Sequence, residues 1–175
     1  TGTPEAGIIL LGNIPQDNMN EFVPMFNTLP SLFQESALLD RFHGFIKGWD
    51  IPRMSENMKI CGWALNTAYF CEILHMLRDD VSYRDIVDEL LEYDANADTR
   101  DVEAVKRIAT ALLKLLFPNV RSAKDVVPKE FKEYCVRPAS NMRGIIKYQM
   151  GLLDKEYRGK DVPKFSIRDI NKDYE

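Results

Sequence analysis

One stretch constrains this chain more than any other. Between Asp98 and Pro118, the residues Val102, Val105, Ile108, Ala109, Leu112, Leu113 and Leu116 recur at helical spacing. Apolar residues at i, i+3, i+4 and i+7 line one face of a helix. Asp98 stands where an N-cap belongs, and Pro118 marks the far limit of the run. A helix with one long apolar stripe must lay it on something. Most of the other readable segments are helical too. Ala64 to Leu77 is apolar on nearly every face, which predicts a buried central helix with His75 packed inside it. Ser82 with Asp85 three positions on resembles a capped start, and Ile86, Val87, Leu90 and Leu91 then form a face ending near Tyr93. Pro128 suits the first turn of a short helix to Val136. Pro138 suits another, with Met142, Ile145, Ile146, Met150 and Leu153 as its face.

Against this helical background, "GIILLGNIP" is an outlier. Residues 7–12 read as a buried strand that runs into Gly12, Asn13 and Pro15. A lone strand cannot satisfy its own backbone donors and acceptors. Its partners are therefore expected upstream, outside this chain, and its bare edges are expected to recruit other chains. A loop with Phe22, Phe26, Leu29, Leu32 and Phe33 comes next, then a single helical turn ending at Gly44. The tail from Gly159 is charged, with Phe165 and Ile167 as its expected anchors. The fold class is thus mainly α: a helical bundle preceded by the last strand and loops of a truncated α/β core. The expected divisions are residues 1–58 for the core remnant, 59–158 for the helical domain and 159–175 for an extended tail.

The 175 residues are 45% apolar, an ordinary globular composition. A net charge of −4 gives no overall footprint for nucleic acid. Cys61, Cys71 and Cys135 lie far apart, and His43 and His75 stand alone, so neither a zinc pattern nor a disulfide framework is present. No metal ligand set is expected. No signal peptide and no long apolar span is visible, so a cytoplasmic protein without a membrane partner is expected. No GxxxxGK[ST] phosphate loop occurs.

Three polar residues carry candidate chemistry. Asn13 lies just past the C-terminal end of the expected strand, where α/β sheets bind ligands; it equally suits an ordinary turn. Arg41, in "LLDRFHG", could reach a neighbour's phosphate or pair with Asp40. Arg143, in "PASNMRGIIKYQ", lies in the first turns of an expected helix, where anions are favoured. Gly144 beside it would allow close approach, but Lys147 one turn on suggests a solvated basic face. His43 could be a base, although no nucleophile stands nearby.

Taken in order, "GIILLGNIP", "LPSLFQESALLDRFHGFIKGWDIPRM" and "RPASNMRGIIKYQ" resemble the back half of an AAA+ ATPase module. The likeness is best over residues 7–63 and 137–150, and its nearest form is the Lon-like ATPases of the BREX phage-defence systems. The resemblance implies ATP and Mg²⁺ as cofactors of the intact protein. Asn13 would match the sensor-1 position that orients the attacking water. Arg41 would match an arginine finger offered to ATP on a neighbouring subunit. Arg143 would match the sensor-2 arginine of the helical lid. It further implies a homo-oligomeric ring that acts on DNA. The phosphate loop, the Walker-B acids and any Lon-type proteolytic dyad do not occur in these residues. This piece by itself is therefore expected to be inactive and to hold no nucleotide tightly. The alternative is a non-enzymatic helical module for oligomerisation or for binding DNA or protein.

Overall fold

A computed structural model describes residues 7–168 and 170; expectations that fall on residues 1–6, 169 and 171–175 lie outside the described residues. The fold is mainly α. Its centre is α4, Thr99–Leu116, capped as expected by Asp98, whose carboxylate accepts the Arg100 N–H at 2.9 Å. Val102, Val105, Ala109 and Leu113 of its stripe are buried. Helix α3, Ser82–Leu90, lays Tyr83, Ile86, Val87 and Leu90 against it. Its cap is displaced from the expected one: the Ser82 N–H and hydroxyl both donate to Asp80, at 2.9 and 2.6 Å.

The chain leaves α3 earlier than its apolar pattern suggests and forms β1, Leu91–Tyr93. This pairs antiparallel with β2, Phe165–Ile167, with Glu92 opposite Ser166. The tail is therefore folded back onto the bundle. Phe165 and Ile167 pack against the first core, as their alternation requires.

The two expected helices after Pro128 are one continuous rod. Helix α5, Pro128–Phe131, runs through a π-helical stretch, Lys132–Val136, into α6, Arg137–Leu153. Pro138 has no N–H to give to the preceding turn, and its ring crowds the carbonyl four residues back. A locally widened turn relieves both problems without ending the helix. The rod belongs to two apolar clusters. Phe131, Cys135 and Ala139 join the first, around α3 and α4. Ile146 and Met150 join a second with Met25, Phe26 and Leu39, flanked by Phe42, Phe45 and Trp49. Residues 25–49 therefore share their packing with α6.

Two expectations about burial fail. Residues 7–12 form no strand, and Ile8, Ile9 and Leu11 are 82%, 88% and 96% exposed, because no ladder partner stands beside them among the described residues. Helix α2, Thr67–Arg78, exists but has no buried residue; of its apolar positions Leu77 packs on the first core. His75 is exposed rather than packed, and Trp63, before the helix, stands fully in solvent. No helix among the described residues is long and apolar enough to cross a membrane.

Candidate functional site

The site is built around one turn. Helix α1, Ser36–Leu39, is a single helical turn whose Leu39 is buried in the second core. The Ser36 hydroxyl donates to Asp154 just past α6, at 2.8 Å. The chain then passes through Asp40, Arg41, Phe42, His43 and Gly44, and the Phe45 N–H donates to the Met142 carbonyl of α6 at 3.0 Å. Gly44 is required here. A Cβ at this position would stand 2.8 Å from Met142 Cβ and 3.0 Å from Ile108 Cδ1. The close approach thus falls at Gly44, whereas Gly144, expected to give it, faces open space.

Behind the turn lies a buried charge cluster. Arg143 is 1% exposed. Its Nε donates to Asp101 Oδ1 at 2.7 Å and its Nη2 to Asp40 Oδ1 at 2.7 Å. Its Nη1 donates to two main-chain carbonyls, Phe42 at 2.6 Å and Asp40 at 3.1 Å. Asp40 also pairs with Arg100. Lys147, one turn after Arg143, is 2% exposed and reaches Asp101 at 2.6 Å and Asp98 at 3.5 Å. The face expected to be solvated is therefore interior. Three cations, Arg100, Arg143 and Lys147, meet three carboxylates, Asp40, Asp98 and Asp101. Such balance is what makes buried charge tolerable. Asp98 and Asp101 also sit at the N-terminus of α4, where the helix dipole favours negative charge. Burial works against the ionised Asp98, but the Arg100 N–H and the Lys147 cation prevail and hold its carboxyl below the ordinary range.

The candidate residues fall into distinct environments. Arg41 is exposed, and its guanidinium donates to the Ala37 carbonyl of its own helical turn, not to Asp40. Asn13 is exposed as well; its neighbour Ile14 packs at the margin of the second core. Arg143 is on the inner side of the Arg41 turn, with its donors committed to Asp40, Asp101 and Phe42. His43 is held below its usual pKa by partial burial and then by the Arg107 and Arg143 cations, so it is neutral at neutral pH. Two surface concavities, one lined by residues 34–37 and 153–155 and one by residues 91–94, 164 and 166, include none of these four.

Sequence reasoning misses Asp40, Asp101 and Lys147 as site residues, although a signal exists. Ala139, Arg143, Ile146 and Met150 keep to helical spacing, which puts Arg143 on the apolar stripe of α6. Asp101 stands in the same relation to Val105 on α4. A charge on an apolar stripe is buried, and a buried charge needs a partner.

A family model described as Lon-like protease BrxL-like, ATPase domain, matches residues 1–162, a span that contains the whole cluster. The chain belongs to this family. It is 30% identical over 148 residues to a Lon-like protease BrxL of Escherichia coli, covering 83% of this chain and 20% of that protein. It is 32% identical over 125 residues to a Lon-like protease BrxL of Bacillus cereus, covering 70% of this chain and 18% of that protein. The chain thus spans about a fifth of the length of the curated relatives it matches.

Proposed function

We propose that this chain is the finger-bearing part of an ATPase module of a ring-forming, Lon-like protein of phage defence. In this reading Arg41 is offered to ATP bound on a neighbouring subunit, and Asn13 orients the attacking water. The observation that carries the reading is the setting of Arg41. Its side chain is exposed, while the backbone on either side is held by bonds to the buried Arg143. A planar guanidinium on a fixed turn suits a phosphoryl group, because this chemistry depends on positioning and charge stabilisation. ATP would supply the transferable phosphoryl group.

Among the described residues, no group of three or more His, Cys, Asp or Glu side chains could hold a metal. The proposal therefore assigns no Mg²⁺ ligand to these residues. It also leaves Arg143 out of direct nucleotide contact, since that role would require its bonds to Asp40, Asp101 and Phe42 to be broken. Coupling to DNA rests on the family resemblance alone; the net charge of −4 adds nothing to it.

The test is ATP turnover by the full-length protein, with and without DNA, for wild type and Arg41→Ala. Loss on the order of a thousand-fold or more is expected where an arginine acts as a finger. Wild-type turnover in Arg41→Ala would sink the assignment. A second reading, a helical interaction module, is favoured by the exposed apolar residues Met54, Ile60, Trp63, Tyr69 and Met76. It predicts self-association without ATP turnover, which light scattering beside the same assay would reveal.

A further inference from the structure

We propose that Asp40 and Arg143 are positioning residues for Arg41, so that the helical domain holds the finger turn in its working geometry. The inference rests on the finger reading above. The two carbonyls that Arg143 Nη1 grips belong to Asp40 and Phe42, the residues immediately before and after Arg41. The same guanidinium holds the Asp40 carboxylate through Nη2 and is itself fixed by Asp101 through Nε. Arg41 is thus bracketed on both sides by one rigid, planar group whose base is anchored in α4 and α6. The contact at Gly44 closes the far end of the turn against Met142.

Two observations and the chemistry of the guanidinium favour a positioning device over mere packing. The carboxylate and both carbonyls converge on a single side chain that is 1% exposed. The bonds span more than a hundred residues of sequence, which ties the backbone of the Arg41 turn itself to α6. Lysine cannot replace this arrangement, because its donors share one atom, whereas Arg143 uses three nitrogens set apart in one plane to reach Asp101, the Asp40 carboxylate and the two carbonyls. Arg100 adds a second grip on Asp40 from the start of α4. A shift of α4 against α6 would therefore be passed to Arg41 through Asp40.

The experiment uses the full-length protein and mixed subunits. Asp40→Asn keeps the shape of the side chain and removes its charge. Arg143→Lys keeps the charge and removes the fork. Gly44→Ala pushes the turn off α6 without touching a charge. Each is expected to lower ATP turnover by on the order of ten- to a hundred-fold, the scale of a roughly 1 Å misplacement. Affinity for a fluorescent ATP analogue should stay within about two-fold of wild type. In a head-to-tail ring each site joins two subunits, so defects in the finger and in the nucleotide-facing part complement one another. Subunits with Asp40→Asn or Arg143→Lys, mixed equally with Asn13→Ala subunits, should recover about a quarter of wild-type turnover on random mixing. The same variants mixed with Arg41→Ala should recover nothing.

Rescue by Arg41→Ala and not by Asn13→Ala would overturn the proposal, because Arg143 would then serve the nucleotide of its own subunit. Unchanged turnover in all three variants would overturn it too, as would loss with rescue by neither partner. Failure of the finger reading shows separately. In that case Arg41→Ala itself turns over normally, or fails to complement Asn13→Ala, and this proposal falls with it.

Discussion

Gln149 offers the most direct test of how the segment before the Arg41 turn is held. It is fully buried in α6, and its amide is used completely. The carbonyl accepts the Met25 N–H at 3.1 Å, and the NH₂ donates to the Glu21 and Val23 carbonyls at 2.7 and 2.9 Å. Replacing it by leucine nearly preserves volume, so the cost is that of the lost hydrogen bonds. Met25 is 0% exposed, and its N–H would keep only its second acceptor, the Val23 carbonyl two residues back at 2.7 Å, so losing the amide oxygen costs ~1 kcal/mol, the net worth of one hydrogen bond. Glu21 and Val23 are half-buried, so water can reach their carbonyls and each adds well under 1 kcal/mol. Gln149→Leu should therefore destabilise by about 2 kcal/mol. With a urea dependence of ~2 kcal/mol per molar, the unfolding midpoint should fall by roughly 1 M with little change in slope. Gln149→Glu should lose a similar amount at neutral pH, because a carboxylate would face two carbonyls. It should recover part of the loss on acidification, when a proton gives it a donor. A midpoint shift below about 0.4 M for the leucine variant would refute the argument. It would mean that water replaces the amide and that the loop is held by Met25 and Phe26 alone.

Two other outcomes rest on the same geometry. Gly44→Ala should cost ~1–3 kcal/mol by overpacking against Met142 and Ile108, read as a lowered melting temperature; an unchanged value would show that the turn gives way freely. Glu103 is held at about 2, first by its bonds to Arg84 and then by Arg107, against an ordinary 4.5. A carboxyl with a depressed pKa contributes stability above its unfolded value, and this is lost as pH falls from about 4.5 toward 2. Its side chain is 37% exposed, so screening reduces the contribution to ~1 kcal/mol. Glu103→Gln should be less stable than wild type by that amount at pH 7, and the gap should narrow through this window; a gap that persists at the acid end would contradict the linkage.

The sequence is most legible where one signal decides both structure and burial. The stripe from Val102 to Leu113, closed by Asp98 and Pro118, predicts α4 as a packed helix because its polar face is equally clear. Phe165 and Ile167 are legible as anchors, but their strand is not, since Leu91–Tyr93 continues an apolar helical pattern and pairing depends on a segment more than seventy residues away. Ala64 to Leu77 shows the opposite failure. A segment apolar on every side forms a helix for local reasons, yet its burial depends on a partner that periodicity does not name. At the site, Arg41 and Asn13 stand out as single polar residues, whereas Asp40 and Asp101 matter only through long-range geometry.

Arg143 shows why motif position and physical role need separate arguments. In sequence it is an arginine early in a late helix, beside a glycine, and each of those facts favours an anion in solvent. Its helical phase says otherwise. Four residues after Ala139 and three before Ile146, it must point where those two point, into the protein. A permanently charged side chain so placed needs acceptors on every donor, and α4 and the Arg41 turn supply them. Removing one member of such a buried pair costs ~3–5 kcal/mol, whereas an exposed pair is worth under about 1 kcal/mol. The cluster is therefore a junction that resists displacement. The turn it fixes in place carries a single outward-facing cation, Arg41. An exposed arginine is common; one whose flanking carbonyls are both held by a second, buried arginine has had its position specified by the rest of the fold.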